Sequence, residues 1–467
     1  MINSLFFPRN NSQLRFWFLF HITLGILTTI SSIFIICWFY LVFILGVISF
    51  SNNNNIDIKI QFFLRYLFYL IPFELISRMS NSSPIIPFEI GKYLTFFYMI
   101  YGISLIKINN KIGYFLIFLI LPGIFIGSSN IIDYKPIVTN VLGLINLGLG
   151  LVFFGNLKLP NNVLSVDNCL KLLIYPILIA LVFAIIKTPD YDDLKFDLAA
   201  KFDTSGGFGS NQVSTAFGLG MFLVFYFWLK GVNFSGFSII LDLLISILFL
   251  FQGLLTFSRG GIIVGIFCIL LFIFSSLISK TKQKLIKTQV IILRLMLFGL
   301  PLIIFTLFFV NSFTGGKILL RYQGETTSTI NGKNDKTINS ITTGRYDIFM
   351  EDIDLFLDNP LLGVGLNQSK LLRKESYNVN NHTELSRLLS EHGIFGGMFF
   401  LILIYFAFSR MFYLRNNRAI ILILFVMGLF TTFHSATRTF ISPLLMSLIL
   451  LPNIKQKLKS KYGDISR

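Results

Sequence analysis

From Phe16 to Phe50 the chain runs for 35 residues without an Asp, Glu, Lys or Arg. As a helix this stretch would extend about 50 Å, against a bilayer hydrocarbon core of about 30 Å. It is too long for a single crossing and predicts two membrane helices folded as a hairpin, breaking near Ser31-Ser32, with Arg9 and Arg15 holding the N-terminus inside. The run also lacks a small-residue cleavage site and exceeds the length of a signal-peptide core, so no cleavable leader is expected.

The same signature recurs along the chain. Only 13% of residues are charged and 54% are hydrophobic, whereas about 25% of an average soluble protein is charged. Further apolar runs fall at about 60–77, 90–106, 112–128, 136–155, 168–187, 212–230, 236–256, 259–279, 289–310, 393–412, 418–434 and 436–451. With the hairpin they make fourteen spans, or twelve if the ends are over-counted. The expected fold is an all-α polytopic membrane protein with 12–14 transmembrane helices and a large periplasmic loop containing short helices. The expected organisation is a transmembrane bundle over 1–310, the loop over 311–391, and C-terminal helices with a cytoplasmic tail over 392–467. Cys37, Cys169 and Cys268 all lie in or beside apolar runs, which argues against a disulfide framework or a zinc site.

The net charge of +17 reads as the basic bias of cytoplasmic loops rather than as a nucleic-acid surface. Counting spans in alternation puts Lys107/Lys111, Lys158/Lys171, the Lys280–Lys287 cluster with Arg294, Arg410/Arg415/Arg418 and the tail Lys455–Lys461 on one side. The other side, periplasmic or exterior, receives 78–89, 129–135, 189–211, a tight turn at Ser258, the loop 311–391 and the turn His434–Arg438. Arg78, Arg259, Arg345, Arg387 and Arg438 lie there against the trend. Arginine near a bilayer is expensive and usually paired or functional. Arg259, between two spans and before Gly260-Gly261, reads either as a snorkelling side chain or as part of an anion site, since guanidinium forks match phosphate oxygens. The glycine-rich segment Ser205–Gln212 is either a connecting turn or a helix start open to an anion.

The loop is the longest hydrophilic interval, with nine basic and ten acidic residues between Asn311 and Glu391. Within it, Tyr346–Leu357 predicts an amphipathic helix lying on the membrane or capping a cavity, with Ile348, Phe349, Ile353 and Phe356 on one face and Asp347, Glu351, Asp352, Asp354 and Asp358 forming a solvated face. Asn359-Pro360 stops it, and Gly363 and Gly365 make a turn. A short helix follows His382, with Thr383 as its cap and Arg387 and Glu391 as an i,i+4 pair. His382 is the candidate base, because imidazole accepts a proton near neutral pH and few other bases share that face. His392 is expected to pack, His434 to support the site beside Arg438, and His21 to be a satisfied core residue.

These motifs resemble the O-antigen ligase/polymerase superfamily of bacterial membrane glycosyltransferases. The resemblance rests on His382-Thr383, nine residues, then Gly393-Ile394-Phe395-Gly396; on Ser258-Arg259-Gly260; on Gly344-Arg345 followed by Pro360-x-x-Gly363-x-Gly365; and on Phe208-Gly209-x-Asn211-Gln212. It spans about Ser205–Arg438. Thr383 departs from the family's usual Asn, Ser or Gln, and Ser210 from a frequent proline. The resemblance implies glycan transfer from an undecaprenyl-diphosphate-linked donor to a hydroxyl of a glycan, lipid or protein acceptor at the outer face of the bacterial inner membrane, with inversion. It implies no metal, no cofactor and no nucleic-acid partner. His382 would be the base, Arg259 and Arg345 would hold the diphosphate with Arg78 or Arg438 assisting, and Asn211, Thr383, Arg387, Glu391, Gly393 and Gly396 would support them. The competing class is a lipid-linked glycan transporter or flippase, which predicts related halves and ionisable residues at mid-membrane.

Overall fold

The computed structural model describes residues 8, 10–128, 135–158, 166–189, 196–278, 289–332, 335–415 and 418–452. Among them every regular element is helical. The first half comprises α1 (Asn11–Ile30), α2 (Ile33–Ser51), α3 (Ile56–Leu70), α4 (Phe73–Met79), α5 (Ile90–Ser104), α6 (Ile112–Ser128), α7 (Lys135–Asn156), α8 (Val166–Lys187), α9 (Ser210–Lys230), α10 (Ile239–Leu255), α11 (Arg259–Leu277) and α12 (Leu300–Phe313). Five short helices follow: α13 (Lys317–Tyr322), α14 (Thr327–Ile330), α15 (Ile338–Thr342), α16 (Arg345–Asp358) and α17 (Ser369–Leu372). The chain closes with α18 (Glu384–Ser409), α19 (Ala419–Thr431) and α20 (Ile441–Ser447).

Nine helical segments of the described residues are long and apolar enough to cross a membrane, and four shorter apolar helices accompany them. The protein is therefore an all-α, multi-pass membrane protein. Every range expected to span holds a helix. The hairpin breaks where its serines stand: α1 ends at Ile30, Ser31 is extended (φ −152°, ψ 134°), and α2 begins at Ile33. Helices break elsewhere for local reasons as well. Pro72 interrupts the third span between α3 and α4, and a five-residue π turn, Leu295–Gly299, leads into α12.

The centre of the bundle is α9, whose residues from Val213 to Leu229 are buried against α8, α10 and α11. Helices in lipid gain little from hydrophobic exclusion and associate closely where residues are small. A Cβ on Gly261 would lie 2.3 Å from the Ser214 carbonyl carbon, and one on Gly218 only 2.2 Å from the Gly261 oxygen. This backbone-to-backbone crossing sets the first turns of α9 and α11 side by side.

At the opposite end of α9, Arg294 Nη1 donates to the carbonyls of Trp228 (3.3 Å) and Leu229 (3.2 Å). Lys171 Nζ donates to Asn233 O at 3.0 Å and Arg15 Nε to Gly236 O at 2.7 Å. Three basic residues expected on one side thus gather at one end of the bundle, and cations there complement the helix C-terminus. Arg9, Lys280–Lys287, Lys455–Lys461, residues 129–134 and residues 190–195 lie outside the described residues.

The hydrophilic loop is bonded into the bundle. Its turn after α16 donates from Val364 N to Ser390 O (2.8 Å), from Gly365 N to Glu391 O (3.2 Å) and from Leu366 N to Gly123 O of α6 (2.8 Å). Ile394 N returns a bond to Pro360 O at 2.8 Å. This docking is possible because Gly393 breaks α18 with φ 58°, ψ −141°, a conformation open essentially to glycine alone. Beyond the break the chain passes close to itself: a Cβ on Gly396 would sit 1.9 Å from Leu388 O. The kink at Gly393 divides α18 into a segment before it, which the loop packs against, and a membrane segment that runs on to Ser409.

The expected solvated face of α16 needs correction. Asp354 and Asp358 are exposed, but Asp352 is fully buried together with Ile348. Glu351 is not free either, since it accepts from the backbone N–H groups of Lys374, Glu375 and Ser376. The loop folds back over α16, so the Glu351 and Asp352 carboxylates serve as internal acceptors.

Candidate active site

The crossing of α9 and α11 puts Asn211 next to Ser258. Asn211 Oδ1 accepts from Ser258 Oγ at 2.7 Å and from Arg345 Nη2 at 3.4 Å, while Ser214 Oγ donates to Ser258 O at 2.7 Å. Phe257, at the apex between α10 and α11, has φ 54°, an uncommon conformation for a bulky residue and one that functional sites retain. Arg259 opens α11 and reaches into the loop, donating from Nη1 to Arg321 O (3.0 Å) and from Nη2 to Ile341 O (2.7 Å). Arg321 directs Nε to Phe257 O at 3.5 Å. Arg345 is set at the start of α16 by Gly344, which takes φ 80°.

Three guanidiniums from distant parts of the chain therefore share one end of the bundle. Burial, then the charges of Arg259 and Arg345, hold Arg321 down to about 10. Arg345 is lowered by burial and by Arg259. Among the described residues, none of Arg259, Arg321, Arg345 and Arg438 has a carboxylate ion-pair partner. Like charges brought together in a poorly solvated place repel, so the arrangement is complementary to an anion bearing more than one negative charge.

His382 is half-buried beside them, and its Nδ1 is buried without a hydrogen-bond partner. Burial, followed by the charges of Arg438 and Arg345, lowers its pKa to about 3, with His434 and Arg373 contributing in the same sense. The imidazole is thus neutral. Arg438 donates from Nη2 to Asn381 O, immediately before His382. His434 fills the gap between the two helix starts: its Nε2 meets Thr215 Oγ1 at 3.0 Å, and its ring lies where a Cβ on Gly260 would come within 2.4 Å.

Of the residues singled out in the sequence, Arg259, Arg345, Arg438, His382, His434 and Asn211 are brought together. Arg78 is committed elsewhere: it pairs with Glu74 (2.8 Å) and Glu89 (3.0 Å), with Lys92 joining Glu89. Its guanidinium also lies 5.1 Å from the Phe208 ring. Arg387 does not form the expected pair with Glu391. It pairs with Glu384 instead and reaches Thr437 Oγ1 at 3.3 Å, because Glu384 is drawn to that corner by the Thr437 N–H at 2.8 Å. Glu391 accepts from Ser369 Oγ at 3.0 Å. Thr383 stands at the N-cap of α18, but its hydroxyl meets Ser386 Oγ at 2.6 Å rather than capping a helix N–H. His392 is buried, with its ring over Gly123 of α6, and His21 is satisfied in the core by Trp17 O (2.6 Å) and the Tyr69 hydroxyl (2.7 Å).

Arg321 and the buried Asp352–Arg373 pair were missed. The signal was present, since Arg321 and Arg373 lie in the same hydrophilic loop as Arg345. Beside Arg321 opens a solvent-open cleft of about 960 Å³, lined by hydroxyl and amide side chains including Thr326, Ser328, Thr337 and Asn339, by the Asp335 carboxylate and by Leu198, Ala199 and Ala200.

The helices and this polar end define a polytopic all-α membrane protein with a cationic site at the end of its bundle. Residues 244–401 match the O-antigen ligase family model, and this match supports the resemblance to the O-antigen ligase/polymerase superfamily. The matched stretch contains Arg259, Arg321, Arg345 and His382 through Gly396, while Asn211, His434 and Arg438 lie outside it. No curated protein and no solved structure matches the chain.

Proposed function

We propose that the protein transfers a glycan from an undecaprenyl-diphosphate donor to an acceptor hydroxyl at the periplasmic or outer face of the bacterial inner membrane, with inversion at the anomeric carbon. The observation that carries this reading is the set of guanidiniums at Arg259, Arg321 and Arg345 without carboxylate partners, next to a neutral imidazole. A lipid diphosphate supplies the missing negative charge. As the glycosidic bond to phosphate breaks, charge accumulates on the leaving oxygen, and fixed cations stabilise that state more than the ground state.

His382 takes the proton from the acceptor hydroxyl as that oxygen attacks. The depressed proton affinity keeps the imidazole unprotonated. Arrival of the diphosphate offsets Arg345 and Arg438, so the imidazole becomes a stronger base when substrate is present. The hydroxyl-lined cleft beside Arg321 suits the sugars, which need many short polar partners.

The test is glycan transfer by the purified, reconstituted protein. His382→Ala and Arg259→Ala should each abolish transfer at normal membrane levels, and full activity in both rejects the mechanism. The glycans left on their carrier after gene deletion assign the subtype. Full-length polymer marks a ligase and single repeat units mark a polymerase.

A further inference from the structure

The Asp352–Arg373 pair is the most enclosed ion pair of the described residues, with both side chains 0% exposed. Arg373 uses its whole fork: Nε donates to Asp352 Oδ1 (2.9 Å), Nη1 to Val379 O (2.7 Å) and Nη2 to Asn381 Oδ1. Asp352 Oδ2 accepts from Asn381 Nδ2 (2.6 Å) and Ser386 Oγ (2.7 Å). The Asn381 amide is therefore gripped at both its oxygen and its nitrogen. Its carbonyl is held by Arg438, and two residues beyond His382 the Glu384 N–H donates to Thr432 O at 2.8 Å.

A base imidazole is ordinarily oriented by a hydrogen bond to its second ring nitrogen. His382 Nδ1 has no such partner, so its placement must come from the backbone on either side. A buried ion pair is also a poor device for stability alone, because an apolar pair of equal volume holds helices together as well or better. What the apolar pair lacks is the fork.

We propose that Asp352 and Arg373 are positioning residues for His382: they clamp residues 379–386 and thereby hold the imidazole against Arg345 and Arg438. The proposal rests on the base role of His382, and its test separates the two. Two variants of the full-length protein serve. Asp352→Leu with Arg373→Met replaces the pair by apolar side chains. Arg373→Lys keeps the charge opposite Asp352 but loses the bonds to Val379 and Asn381. Each is compared with wild type for donor KM, kcat, thermal stability, and the rate at which diethyl pyrocarbonate modifies His382, read by mass spectrometry.

The expected result is near-native KM, a moderate loss of thermal stability as the Asn381 amide and the Val379 carbonyl lose their partners, kcat lowered by roughly 100-fold, the scale of a 1 Å misplacement, and several-fold faster modification of His382. An unchanged kcat overturns the proposal. So does an unchanged modification rate, with any loss of activity tracking loss of stability. If the apolar double variant does not fold, Arg373→Lys decides alone. His382→Ala is measured in parallel. Normal transfer by that variant removes the base role, while the modification rate still reports whether the clamp holds the imidazole.

Discussion

Arg345 of the hydrophilic loop donates from Nη2 to Asn211 Oδ1 of α9 at 3.4 Å, across 134 residues of sequence. The same oxygen accepts from Ser258 at the α10–α11 turn, so one amide joins three segments at the cationic site. Asn211→Ala leaves Arg345 without its partner. Hydrogen bonds to charged groups contribute about 1.5–3 kcal/mol, so kcat/KM for transfer is expected to fall by roughly 10- to 100-fold. Steady-state kinetics on reconstituted protein measure this, and a change under threefold would show that the amide does not hold Arg345.

Arg321 should matter as much as the arginines visible in the sequence. It touches both Arg259 and the Phe257 carbonyl and borders the polar cleft. Removing one donor from a site that stabilises developing charge costs roughly 10²–10³-fold in rate. Arg321→Ala is expected to lose activity on that scale, and Arg321→Lys to recover only part of it. Retained wild-type turnover in Arg321→Ala would take this residue out of the site.

The pH dependence has a definite sign. His382 acts unprotonated, and its pKa is lowered to about 3 by burial and by the charges of Arg438 and Arg345. The acid limb of kcat/KM, which reports the free enzyme, is therefore expected well below the ordinary histidine value of about 6.5. The limb of kcat, which reports the donor complex, should lie at higher pH because the bound diphosphate favours the imidazolium. Arg438 is the largest charged contributor to the lowering, so Arg438→Gln should move the kcat/KM limb upward. A limb that stays put or moves down contradicts the assignment.

The glycines of the α18 break separate by position. Gly393→Ala forces a side chain into φ 58°, with a cost of about 1–3 kcal/mol. Its Cβ would also lie 2.5 Å from Leu361 O, and that of Gly396→Ala 1.9 Å from Leu388 O, so both substitutions should cost more than the backbone strain alone. Gly397→Ala is the control: its Cβ would lie 3.2 Å from the end of the Leu389 side chain, which can move. Thermal unfolding in detergent should rank Gly397→Ala near wild type and both others below it.

The spans were legible because the bilayer imposes length and polarity on each one independently, down to the serines between α1 and α2. The partners within the loop were not. Arg387 has carboxylates at both i−3 and i+4, and only the approach of the 432–438 turn decides for Glu384. Asp352 shares a helix with four other acidic residues, and nothing in its spacing marks it as the buried one. Arg321 lies in the same hydrophilic loop as Arg345, and only its bond to the Phe257 carbonyl marks it as part of the site. Arg78 stands against the charge trend as Arg345 does, and the structure gives it to Glu74 and Glu89. Sequence distance hides such pairings, since each is made by segments that meet only after the bundle forms.

The bonds from Val364, Gly365 and Ile394 have a practical corollary for engineering. The hydrophilic segment is not a graft that can be exchanged between homologues at its ends. Seven residues, Pro360–Leu366, are keyed to one helix break and to α6, so a chimera must carry all three pieces together. Recombination that respects only the apparent junctions between apolar and polar sequence would deliver an imidazole with nothing to set its aim.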